Sequence, residues 1–195
     1  MDERAGSAGG SVAVQDSVVP GEVGIDRVIH QLVEDDGTYP NNGRLPLLVY
    51  PGALALPERD PAAAFEKMFG DNQWGGSWRN GVYAFHHYHS TAHEVLGIYG
   101  GTAEVQFGGA LGPVFSVVAG DVVVIPAGVA HKNLGSSAEF RVVGAYPLGQ
   151  RPDMNRGAAG ERPDADARIA RMSLPVADPV HGLAGPLLTL WQAEP

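Results

Sequence analysis

Gly81-Val-Tyr-Ala-Phe-His-His87-Tyr-His89-Ser-Thr-Ala-His93-Glu94 opens, and Gly120-Asp-Val-Val-Val-Ile-Pro126-Ala-Gly128-Val-Ala-His131 closes, the stretch that decides the reading of this chain. His87 and His89 are two residues apart, so in an extended segment they share one face and can converge on a single point. Glu94 follows shortly after, and His131 comes from a distant strand behind a Pro-x-Gly turn. Imidazole nitrogen and carboxylate oxygen are the donors that divalent first-row ions prefer. Three histidines and one glutamate therefore read as a metal site in which two stretches of a β-barrel meet. His93 leaves a second set open, with four histidines and no carboxylate. Glu94 is favoured because a carboxylate lowers the net charge of the site. His93 is then expected at the rim or as a proton carrier, its ordinary pKa lying near neutrality. His86 falls on the opposite face and reads as structural, or as a support behind the ligands.

Around this stretch the pattern is one of short apolar runs with glycine punctuation. Tyr83 and Phe85 share a face with His87 and His89 if the segment is a strand. Glu94–Tyr99 and Thr102–Phe107 flank a Gly100-Gly101 hairpin signal. Val114–Val118, Val122–Ile125 and Glu139–Tyr146 continue the series. Upstream, Arg27–Val33 and Leu45–Tyr50 read as strands joined by the turn-forming run 35–43. One helix is signalled by Asp60 as N-cap, Pro61 at the first helical position and Gly70 as the stop, with Phe65, Met68 and Phe69 on one face. Regular short strands with glycine turns predict an all-β fold, a barrel or jelly roll.

The outer parts differ in composition. Residues 1–23 are rich in Gly, Ala, Ser and Val without a sustained period, and read as a flexible arm, or as a strand over 11–19 that pairs with a second subunit. Residues 24–148 form the β-barrel domain, and 149–195 are expected to pack as an extension on the barrel or on a partner subunit. That extension contains a short helix at 164–172 and apolar anchors at Leu183, Leu187, Leu188, Leu190 and Trp191.

The whole chain of 195 residues has a formal net charge of −9, with 13 Lys and Arg that form no stripe, which argues against a nucleic-acid partner. It has no cysteine, so thiolate chemistry and Cys-type metal sites are excluded. The first ten residues have no apolar core of a signal peptide, and no run reaches membrane-spanning length. A cytoplasmic protein with no membrane partner is the expectation.

The two motifs resemble those of the cupins. Gly81, His87, His89, Glu94 and Gly101 match the first cupin motif, and Gly120, Pro126, Gly128 and His131 the second. One departure stands: the second motif's final Asn position holds Gly135, with Asn133 two residues earlier. Phrases such as Trp78-Arg-Asn-Gly and Pro126-Ala-Gly-Val-Ala-His-Lys-Asn-Leu-Gly are similar to a bacterial cupin group named after YjlB. The resemblance implies a single-domain jelly-roll barrel with one or two short helices and extended termini, in which His87, His89, Glu94 and His131 hold a divalent transition ion (Fe, Mn, Zn or Ni).

The expected function is a metal-dependent enzyme, of oxygenase or isomerase type, on a small organic molecule. The alternative is a non-catalytic module that binds a small metabolite or a metal. Tyr83, Phe85, Tyr88 and Tyr99 are candidates for the mouth of the pocket, and Arg79 or Lys132 for anchoring a substrate anion. Cupin barrels commonly pair, so a homodimer is expected.

Overall fold

The computed structural model describes residues 28–192. The expected arm of residues 1–23 lies outside them. Among the described residues, nine strands form two antiparallel sheets. The larger contains β1 (Ile29–Val33), β2 (Asn42–Tyr50), β3 (Trp74–Asn80), β4 (Glu94–Gly100), β7 (Val122–Ile125) and β9 (Arg141–Pro147), in the order β1-β2-β7-β4-β9-β3. The smaller contains β5 (Thr102–Phe107), β6 (Val114–Val118) and β8 (His131–Ser136), in the order β6-β5-β8. Helices α1 (Pro61–Asp71), α2 (Asp164–Ile169) and α3 (Pro186–Leu190) complete the described residues. The jelly-roll expectation is met by these two sheets and few short helices.

Continuous apolar runs such as Val122–Ile125 follow from burial of the central strands of the large sheet on both faces. Inward-facing Leu47, Val49, Leu96, Ile98, Val123, Ile125 and Val142 pack with Ala103, Val105, Phe107 and Val117 of the small sheet. Outward-facing Leu48, Tyr50, Val95, Val124, Val143 and Ala145 pack under α1 and the C-terminal residues Leu187 and Trp191. Gly97 makes room for α1, because a Cβ there would stand 2.4 Å from the Phe65 ring. Leu187 and Trp191 behave as the apolar anchors expected of them, but Leu183 is exposed.

Three features depart from the sequence reading. Residues 83–89 do not form a full strand. His87 and Tyr88 make only isolated bridges, to His131 and Asn155 respectively. The flanking β3 and β8 are strands that no alternation signalled: Trp74–Asn80 has consecutive glycines, and His131–Ser136 is mostly polar. Residues 186–190 are helical rather than extended, with Pro186 opening the helix.

Phe65 is fully buried between α1 and Gly97. Phe65→Ala should lower unfolding free energy by about 3–5 kcal/mol in urea titrations, the cost of a cavity that neighbours cannot fill. A loss under about 1 kcal/mol would show that α1 does not clamp the outer face.

Candidate metal centre

Glu94 is the first residue of β4, and the pleat gives it the same face as Leu96 and Ile98, into the barrel. His131 is the first residue of β8. Its register partner is Phe107, whose side chain belongs to the inner core, so His131 also faces inward. His87 is tied to His131 by two backbone hydrogen bonds, of 3.2 and 2.9 Å. On its far side the segment pairs through Tyr88 with Asn155, by two bonds of 3.0 Å. These short pairings restore the alternation that a full strand would have supplied. His87 and His89 turn inward, while Tyr88 packs outward with Ala130 and Ala165 and donates from its hydroxyl to Glu161.

Ligand atoms of His87, His89 and His131 all lie within 4.8 Å of one another, and all three residues are buried. The Glu94 Oε2 lies 3.2 Å from His131 Nε2 and 3.5 Å from His89 Nε2. Each imidazole is oriented from behind. His89 Nδ1 donates to the Asp153 carbonyl in a short hydrogen bond. His131 Nδ1 and His87 Nδ1 lie 3.3 Å from the Val129 carbonyl and 3.4 Å from the Phe85 carbonyl, at the long end of the range. A carbonyl only accepts, so the proton of each neutral ring sits on Nδ1 and leaves the Nε2 lone pair free. Second contacts of this kind fix the tautomer and direction of histidines that bind metals.

The carboxylate oxygen facing them, Glu94 Oε2, is buried and has no hydrogen-bond donor among the described residues. Lone pairs and an anion so close together repel unless a cation lies among them. The pKa directions follow. Burial holds the His87 imidazole down to about 3, and neighbouring His131 adds to this. Burial also opposes charge on His89, but the Glu94 carboxylate outweighs it and raises its pKa. For Glu94, burial raises the pKa, and His89 and His131 more than reverse this, so the group stays ionised. The donor set therefore fits a divalent transition ion.

The cluster forms the floor of a cavity of about 360 Å³. Trp78, Val82 and Tyr83 contribute one wall, and Pro152 and Met154 the other. Tyr146, two residues from a register partner of β4, leans its ring edge-on over His89. Trp78 Nε1 donates to its hydroxyl at 2.8 Å, and the Glu94 carboxylate is the neighbour that takes the phenol's own proton in a hydrogen bond. Its pKa is raised, first by burial and then by the Glu94 charge.

Several expected pocket residues stand elsewhere. His93 is not at the rim. One pleat position from Glu94, it points to the outer face, fully buried, 4.7 Å from the Trp191 ring, with Nδ1 accepting from the Ala127 N–H. Tyr99 also lies on that outer face and packs with its core. Lys132, next to inward His131, points away from the barrel beside His86. Phe85 lies behind Tyr83, stacked at 4.8 Å, with the Arg156 guanidinium 3.7 Å over its ring. Tyr83 does line the cavity. Arg79 reaches it too, but its guanidinium is taken by Glu66 through two 2.7 Å bonds and by Asp60 at 3.1 Å. Sequence reasoning missed Tyr146 and Asp153. The first was read only as the end of a strand, and the second acts through a backbone carbonyl that no side-chain pattern reveals.

Two facing antiparallel sheets with this histidine and glutamate cluster between them define a cupin-type jelly roll. A protein of Bacillus subtilis (strain 168), "Uncharacterized protein YjlB", is 45% identical over 157 residues, covering 80% of this chain and 92% of that protein, and the chain belongs to the YjlB family. No family model matches the chain. Among solved structures, a DUF861 family protein from Thermotoga maritima is 26% identical, covers 46% of this chain and 90% of its own, and has a TM-score of 0.29. The dTDP-6-deoxy-D-glucose-3,5-epimerase RmlC from Legionella pneumophila, in complex with dTDP-4-keto-L-rhamnose, is 15% identical over 61% of this chain and 71% of its own, with a TM-score of 0.35.

Burial of His93 has a measurable consequence. Its pKa is held down to about 4 by burial, offset in part by the Ser173 backbone, against 6.5 for an exposed histidine. The unfolded chain therefore binds the proton more readily. The stability due to neutral His93 is complete above pH 6.5 and falls as pH drops towards 4, by about 3 kcal/mol in all. Urea midpoints between pH 7 and 4 should show this decline, and His93→Gln should flatten part of it. An identical slope in the variant would contradict the placement.

Proposed function

We propose that the protein is a metal-dependent enzyme acting on a small organic molecule, with His87, His89, His131 and Glu94 holding one divalent transition ion. Iron, manganese, zinc and nickel all suit this donor set. The observation that carries the proposal is the buried Glu94 Oε2, left without a donor and faced by imidazoles whose Nδ1 atoms are turned to carbonyls. Such an ion supplies a Lewis acid for a carbonyl or enediol oxygen and, if redox-active, a centre for dioxygen chemistry.

The chain's own groups do the rest. Glu94 offsets one of the ion's two charges. Asp153, through its carbonyl, keeps His89 aimed at the centre, and Ser90 holds the Asp153 carboxylate by its N–H at 2.6 Å and by its hydroxyl. Tyr146 sets its phenol beside Glu94 near the floor, where a substrate oxygen would compete with the carboxylate for its hydrogen. Leu96 and Trp78 keep water from the inner end of the cavity. An oxygenase or an isomerase reaction is compatible with this equipment, and so is a non-catalytic module that binds a metabolite or the metal itself.

We also propose a homodimer in the cytoplasm. The edge strand β1, which exposes Ile29 and Leu32, offers a surface for pairing. No helix among the described residues is long and apolar enough to cross a membrane.

Elemental analysis after metal loading should give about one ion per chain. His131→Ala and Glu94→Gln should lose most of it, and Lys132→Ala, altered on the outer face, should keep it. Equal metal in all four proteins would overturn the assignment. A metabolite screen with the metal restored separates enzyme from module: metal-dependent product formation supports the first, and saturable binding without turnover the second. Light scattering on the same samples should give the mass of two chains, and the mass of one would defeat the dimer.

A further inference from the structure

The cavity is graded in exposure. Its floor of His87, His89, His131, Glu94 and Leu96 is buried, whereas Arg79, Tyr83, Pro152 and Met154 at the rim are exposed. A molecule whose head reaches the floor must therefore run its tail past Trp78, Val82 and Tyr83 on one side and Met154 on the other. No free cation waits along that path among the described residues. Arg79 is held in a two-pronged pair with Glu66 and in a third contact with Asp60, both on or capping α1. The other lining carboxylate, Asp153, is itself satisfied by Ser90 and lies 3.7 Å from Arg168.

We infer that the site selects molecules with an uncharged, apolar tail, and that Glu66 sets this preference by neutralising Arg79 at the rim. The inference rests on the proposed function for the position of the head, and adds the class of substrate. A tail carboxylate would lose water against Trp78, Val82 and Met154 and meet a guanidinium whose charge is already offset by Glu66 and Asp60. An aliphatic or aromatic tail would lose only apolar hydration and gain contact with the Tyr83 and Trp78 rings. The geometry matters here, because Glu66 holds the Nε and Nη2 edge of the guanidinium and Asp60 holds Nη1, so its single positive charge already faces two carboxylates before a third could approach.

Benzohydroxamate and 4-carboxybenzohydroxamate share a chelating head and differ only in the charge of the tail. Calorimetry on Zn2+-loaded protein should find the uncharged probe bound about tenfold more tightly. Glu66→Gln should raise affinity for the carboxylated probe and leave the uncharged one unchanged, and Glu66→Gln combined with Arg79→Leu should abolish that gain. Equal or tighter binding of the carboxylated probe by the wild type, or no response to Glu66→Gln, would overturn the inference. Benzyl alcohol and benzoate, compared on metal-free protein, separate this failure from that of the metal reading. Preference for benzyl alcohol in a protein that takes up no Zn2+ would sink the metal centre and support the apolar path. Full Zn2+ uptake with preference for the carboxylated probe would sink the path alone.

Discussion

An ionised carboxylate sits at the head of β4 with almost no exposure, followed inward by Leu96 and Ile98. Removing such a charge from water costs several kcal/mol unless partners repay it. The rest of the inner end of the barrel supplies that repayment. Two imidazoles approach Glu94 Oε2 to 3.2 and 3.5 Å, and a third lies within 4.8 Å of both. Each turns its Nδ1 towards a backbone carbonyl, so the surroundings hold the rings rather than the rings holding one another. A divalent cation fits this electrostatic balance, since the three histidines offer ligand atoms within 4.8 Å of one another.

The fold delivers these groups through pleat and pairing. Glu94 and Tyr146 face inward because both share the parity of the core side chains on β4 and β9. His131 faces inward because its partner across the small sheet is Phe107. His87 and His89 lie on a segment too irregular for a strand, yet it is pinned by His131 on one side and Asn155 on the other. The stretch after β9 thus contributes to the centre as well as covering it. Asp153 orients a histidine, and Pro152 and Met154 close one wall. The six-stranded sheet can carry a polar site at one end because its central strands are buried on both faces, under α1 and the C-terminal residues outside and the small sheet inside.

Much of this was legible in the sequence, for reasons that particular residues make plain. The turns at Gly100-Gly101 and Pro126–Gly128 and the runs between them marked β5, β6 and β7 to the residue and β4 to within one. The spacing of His87, His89, Glu94 and His131 named the four side chains that meet. The choice between His93 and Glu94 needed the pleat phase, which only the register of β4 with β7 and β9 resolves. Arg79 looked like an anchor for an anion because its partners, Glu66 and Asp60, belong to a helix whose docking no local pattern states. Tyr99 and Lys132 were misplaced for the same reason as His93, each being one pleat position from an inward residue. Tyr146 and the Asp153 carbonyl were invisible because they join the centre through long-range pairing and through the main chain.

The central claim is that three imidazoles and one carboxylate share a single ion. X-ray absorption at the zinc edge of the loaded protein tests it most directly. The expected spectrum has about three imidazole nitrogens at roughly 2.0–2.1 Å, with their multiple-scattering signature, and oxygen at about 2.0–2.2 Å. A spectrum of oxygen ligands without imidazole scattering would contradict it.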